Sequence, residues 1–281
     1  MTQTSPSHTR PVGVDELRRA WHAVQVGQFR ARPGRPAAPG PVRPGATPAP
    51  TSWTPTQVVL PVVGCLPQAG TSSIALAIAT VAGNARVIEC CTATASGLAA
   101  AATAELGTTT TGWTIGRRGQ VAIARLTGVH LSVADLPTPD EPHLAAGLAV
   151  LDVGWELGQV LATPSWVSQQ VTNAAHVVVV TTATVPGLRR LETALTLLGR
   201  DRTVAAVLGP QRRCWPHELA AAAGPAGQAL ERAGLLVSVP HSKRLALRGI
   251  DSSPLPSPLL RAAQALLRHT DAGSQPEKGI S

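Results

Sequence analysis

Two apolar runs, "VVLPVV" at 58–63 and "VVVV" at 177–180, constrain this chain more than any other feature. Neither alternates with polar residues, so strands built from them must be covered on both faces. Similar short runs alternate along the chain with Ala- and Leu-rich segments. The pattern predicts strands over 58–63, 86–90, 121–126, 148–153, 177–181, 204–208 and 235–239. Helices are expected over 71–81, 96–106, 164–174, 186–198, 216–223, 225–233 and 258–269. Strand and helix in regular succession imply one doubly wound α/β domain over 56–270, a mostly parallel sheet with helices on both faces.

The flanks read differently. Residues 1–12 are polar and are expected to be disordered, as is the tail 271–281. Residues 13–30 predict a short amphipathic helix: Leu17, Trp21 and Val24 share a face, and Asp15 and Glu16 sit in the first turn, where the helix dipole favours acids. Residues 31–55 are dense in Pro, Gly and Arg and form a linker. The tethered helix either folds back on the domain or docks in the groove of a protein partner.

Charge and cysteine usage narrow the function classes. The formal charge is +8, but residues 1–50 hold seven Arg against Asp15 and Glu16, a net +5, which leaves +3 for the rest. The excess is a property of the arm, where Arg30, Arg32, Arg35 and Arg43 could hold DNA phosphates without sequence preference. With one Phe and no Tyr, the stacking platforms of a single-strand binder are missing. Cys65, Cys90, Cys91 and Cys214 show no CxxC spacing, the start lacks a signal-peptide pattern, and no apolar run would span a bilayer. A cytoplasmic chain with reduced thiols and no metal cluster is expected.

Ligands of such sheets lie at the carboxyl ends of the strands. After the first strand comes "GCLPQAGTSS". Against the phosphate-loop pattern GxxxxGK[ST], Cys65 takes the first glycine position, with Gly64 just before it, and Gly70 takes the second. Thr71 takes the lysine position and Ser72 the magnesium-ligand position. No lysine precedes Lys243, so no shift of register restores one. Thr71, Ser72 and Ser73 still offer hydroxyls and N–H groups at a helix start, enough for weak anion binding; the bland alternative is a turn that simply needs Gly70.

Further stretches fall in a familiar order. "ARVIECCTATASG" ends the second strand, "GLAVLDVG" ends in Asp152, and "GLLVSVPHSKRLALRGIDSSPLP" follows the seventh. Together with the loop they resemble the ParA/MinD family of P-loop ATPases (SIMIBI class) over Val58 to His269, as a degenerate member without the Walker A lysine. The resemblance implies a magnesium role for Ser72 and Asp152, a position behind the metal for Glu89, and an adenine pocket at Pro240 and His241. It also marks departures: Leu66 stands for the family's signature lysine, Pro67 and Gln68 for two glycines, and Cys91 for the second acid. For Glu89 and Asp152 the alternative is loop hydrogen bonding. Arg117 or Arg118 could replace the lost cation or be solvated turn residues; Arg212, Arg213 and Trp215 could stack on a base or a partner, or close a helix onto the sheet. Ser165 reads as an N-cap.

The resemblance implies a catalytically degenerate protein that binds ATP and magnesium weakly at most. It would act as a scaffold, positioning or regulatory factor in bacterial partitioning, conjugation or secretion and pilus machinery, often on mobile elements, with homodimerisation plausible. The rivals are a divergent active ATPase and a DNA-associated protein using the basic arm.

Overall fold

The computed structural model describes residues 52–126, 128–141 and 147–270, all within the unit Thr47–Ser281. The predicted docking face Leu17, Trp21 and Val24, the Arg-rich arm and the tail 271–281 lie outside the described residues.

Nine strands form one sheet: β1 (Val58–Gly64), β2 (Ala85–Cys90), β3 (Ala104–Thr108), β4 (Trp113–Arg118), β5 (Val121–Leu126), β6 (Leu148–Val153), β7 (Val177–Thr182), β8 (Thr203–Leu208) and β9 (Leu236–Val239). Their spatial order is β3-β4-β5-β2-β6-β1-β7-β8-β9. Every pairing from β5 to β9 is parallel, and only the β3–β4–β5 meander is antiparallel. The two runs that opened the reading become β1 and β7, neighbours at the sheet's centre. In β1, Leu60 and Val62 enter the core on one face while Val63 enters the core on the other. That is why neither run alternates.

Eight helices are described: α1 (Thr71–Ala82), α2 (Leu157–Ala162), α3 (Trp166–Asn173), α4 (Val185–Leu198), α5 (His217–Ala221), α6 (Pro225–Arg232), α7 (Lys243–Arg248) and α8 (Ser257–Arg268). α1 and α8 cover one face, where Ile74, Ile78, Leu259 and Leu266 join the core. α3, α4 and α6 cover the other through Trp166, Leu188, Leu195 and Leu230.

One predicted element is wrong. Residues 96–106 form no helix; a 3-10 turn at Ala93–Ala95 leads into an extended segment and then into edge strand β3. Alanine favours helix by a few tenths of a kcal/mol per residue, less than what tertiary contacts supply here. Leu98 and Ala101 are fully buried against α1, and burying a leucine is worth about 1.5–3 kcal/mol.

Helix ends on the α4 face are satisfied across elements. The Glu192 carboxylate of α4 accepts from the N–H groups of Ala226 (2.8 Å) and Gly227 (2.9 Å), capping α6 from outside its own chain segment. Arg202 likewise donates to the carbonyls of Val171 and Thr172 at the end of α3. A Cβ at Gly224 would lie 2.5 Å from Glu192 Cδ, so glycine is needed for the cap to approach. Glu192→Ala is expected to cost about 1–2 kcal/mol, the value of a lost cap. Urea denaturation reads this as a lower midpoint at unchanged slope; an unmoved midpoint removes Glu192 from the account of α6.

Candidate functional site

The chain leaves β1 towards β2 on one side, and from β6 crosses over β1 to β7 on the other. This reversal opens a crevice at the carboxyl end of β1. Residues 64–73 lie there. Gly70 is left-handed (φ 90, ψ 22), and a Cβ on it would lie 2.7 Å from Leu208 Cδ2; both facts require glycine. No side chain caps α1, so its first N–H groups point into the turn without a side-chain acceptor.

The turn is filled by its own atoms. A Cβ at Gly64 would lie 2.6 Å from Thr71 Oγ1, so the Thr71 hydroxyl is folded back against the Gly64 backbone. Leu66 packs on the α1-side core, Pro67 and Gln68 are exposed, and Gln68 holds φ 60. The Cys65 N–H donates to the Val180 carbonyl at 2.8 Å. Burial pushes the Cys65 thiol up to about 12, opposed by a hydrogen bond with Thr181 and by the Arg190 charge. At neutral pH it is protonated and a poor nucleophile. Ser73 is half-buried beside it.

Two carboxylates close the far wall. Glu89 and Asp152 are Cα partners at the ends of β2 and β6, 1% and 2% exposed. Glu89 is saturated: it accepts from the Ser96 hydroxyl at 3.0 Å and from the N–H groups of Gly97 and Leu98 at 2.9 Å. Asp152 is not, because its Oδ1 is buried without a partner. Burial raises the Asp152 pKa to about 7; the Ser72 hydroxyl, hydrogen-bonded to it, lowers it, and the neighbouring charge of Glu89 raises it further. Where the family places a second acid stands Cys91, a buried thiol whose pKa burial raises, tight against Gly154.

Other candidates lie elsewhere. Pro240 and His241 follow β9 and are exposed; β9 is three strands from β1, about 14 Å at ~4.8 Å per strand. The structure places neither arginine of the β4–β5 turn at the loop. Arg117 and Arg118 pair with Ala122 and Val121, at the amino edge of the parallel strands, opposite the crevice. Arg117 donates to Gly119 and Gln120, and Arg118 to the carbonyls of Ala101, Asp251 and Ser253. The cation felt at the loop is Arg190 of α4, which sequence spacing alone did not single out. Arg212 stacks on Trp215 at 4.7 Å and pairs with Glu231 at 2.9 Å, while the Trp215 N–H donates to Pro210; this cluster closes α5 onto the sheet. Ser165 caps α3, accepting from the Ser168 N–H at 3.1 Å.

The residues fit only half of a magnesium nucleotide. Asp152 and Ser72 suit the metal end, having an orphaned carboxylate oxygen beside a hydroxyl. The phosphate end does not fit: the lysine position holds threonine, Pro67 has no N–H to give, and the Thr71 hydroxyl occupies the Gly64 side of the turn. No phosphoryl-transfer step follows from this arrangement. Among the described residues no group of three or more His, Cys, Asp or Glu could hold a metal ion, and no helix is long and apolar enough to cross a membrane.

No protein-family model and no curated protein matches the sequence. Solved structures with a similar course of the chain include the MinD cell division protein of Aquifex aeolicus, at 14% identity and a TM-score of 0.47, covering 75% of this chain and 97% of that one. The Pyrococcus furiosus cell division ATPase MinD gives 11%, 0.47, 75% and 99%. A plasmid partition protein from Borrelia burgdorferi gives 8%, 0.42, 76% and 97%.

Proposed function

We propose that this chain is a phosphate-loop α/β protein that has lost nucleotide turnover and serves as a scaffold, positioning or regulatory factor. One observation carries the reading: the turn that would cradle phosphates has no cation of its own and is filled by the Thr71 hydroxyl lying against Gly64. Phosphoryl transfer depends on positioning and charge stabilisation. A turn without an ammonium and without room supplies neither. The sequence resemblance to ParA/MinD proteins directs the choice of setting towards partitioning, conjugation or secretion and pilus machinery, with a protein partner engaged by Leu17, Trp21 and Val24.

Calorimetric titration of the full chain with ATP and magnesium tests the reading. Heat below detection at millimolar nucleotide is expected, and a phosphate-release assay should stay at the buffer rate. Saturable submillimolar binding with turnover that Asp152→Ala abolishes would replace the scaffold with a divergent ATPase.

A further inference from the structure

Residues 92–101 cross the far end of the same site, and nothing in the degenerate phosphate loop explains how they are held. The chain turns at Ala93–Ala95 and then binds the sheet through Glu89, which takes the Ser96 hydroxyl and the N–H groups of Gly97 and Leu98. Two successive amide donors and a hydroxyl around one carboxylate form a concave anion seat, occupied here by the protein's own side chain. Such charge-assisted bonds are about twice as strong as neutral ones.

The segment is also wedged. A Cβ on Gly97 would lie 2.6 Å from Ser72 Oγ and 2.8 Å from Ser72 Cβ, so the backbone at Gly97 rests directly on the Ser72 side chain. At its start, Cys91 and Ala95 press on Gly154, just beyond the end of β6. At its far end, Leu98 and Ala101 are fully buried against α1. Asp152 Oδ1 lies in the enclosed space without a partner and without solvent contact.

We propose that residues 92–101 form an autoinhibitory strap, latched by Glu89, that shuts the Asp152–Ser72 end of the site against any cation or phosphate from solvent. The proposal rests on the reading of residues 64–73 as a phosphate-loop remnant and assigns that remnant its regulation. Glu89 is then the latch itself: its lone pairs are spent on the strap, and only a state in which the strap has lifted frees both carboxylates. Leu98 and Ala101 anchor the far end, so the strap opens from the Ser96–Gly97 side.

Hydrogen exchange and thiol alkylation of the full-length chain test this. In the wild type, the amides of Gly97 and Leu98 should be protected although they lie outside any strand or helix. Cys91 should react with a maleimide far more slowly than exposed Cys214. Ser96→Ala removes one latch bond at an exposed position, and Gly97→Ala forces a methyl against Ser72. Both should speed exchange at 97–98 and alkylation of Cys91 by about tenfold or more, the worth of one hydrogen bond to a charged group. Peptides of β6 and β7 and the rate at Cys214 should not change. Unprotected amides in the wild type, or Ser96→Ala leaving both rates unmoved, overturns the strap. Tight binding of magnesium ATP to the wild type would instead remove the scaffold reading, and exchange at 97–98 would still judge the latch.

Discussion

Asp152→Asn melts higher than the wild-type chain at pH 8, and the two curves converge as pH falls towards 4. The Asp152 carboxyl titrates near 7 in the fold against 3.8 in the reference state, because burial outweighs the Ser72 hydrogen bond and the Glu89 charge adds to the penalty. Between those values the folded chain holds a proton that the unfolded chain has released. Stability therefore falls as pH rises from about 4 to about 7 and stays reduced above it. At 1.36 kcal/mol per unit the penalty approaches about 4 kcal/mol, an upper value for a side chain with no solvent to screen it. Asparagine keeps the shape and cannot ionise, so the slope disappears. Thermal melts in chelator at pH 4.5, 6, 7 and 8 decide it: parallel wild-type and variant curves across that range would mean that Asp152 is solvated or paired in solution.

The position of Asp152 was legible in the sequence because a β-strand ending in an acid has a fixed address in a doubly wound sheet, and Glu89 follows by register. The strand assignments held for the same reason: apolar runs without alternation leave only the sheet centre. The stretch between β2 and β5 was not legible. "SGLAAAATAEL" carries helix propensity, and the forces that overrule it, Glu89 from one side and α1 from the other, are remote in sequence. The β4–β5 hairpin did leave a signal in "GRRGQV", where Gly119 takes a left-handed φ of 57 between two apolar runs. The short helices α2 and α7 have six residues each, too few for periodicity to speak. In the site itself, the missing lysine was visible, but the inward Thr71 hydroxyl and the Gly97 wedge depend on backbone paths that no residue type announces.

Trp166→Ala should leave little of the fold at 25 °C. Trp166 is fully buried, its indole N–H donates to the Leu136 carbonyl at 2.9 Å, and its ring meets Trp53 edge-on with centroids 5.2 Å apart. Removing a buried tryptophan costs about 3–5 kcal/mol, against about 5–15 kcal/mol for a whole domain. Phenylalanine at the two positions separates packing from hydrogen bonding. At 166 it orphans the buried Leu136 carbonyl, for a further cost of about 1–3 kcal/mol. At 53 it deletes an indole N–H that is buried without a partner, so that loss carries no such cost. Arg86 lies over the Trp53 ring at 5.5 Å while donating to the Asp140 carbonyl at 2.7 Å, and it keeps a ring face to rest on in Trp53→Phe. Denaturant titration should therefore rank Trp53→Phe near the wild type, Trp166→Phe clearly below it, and Trp166→Ala lowest. Equal losses for the two phenylalanine variants would show that ring volume, and not the Leu136 hydrogen bond, makes Trp166 the pin of this face.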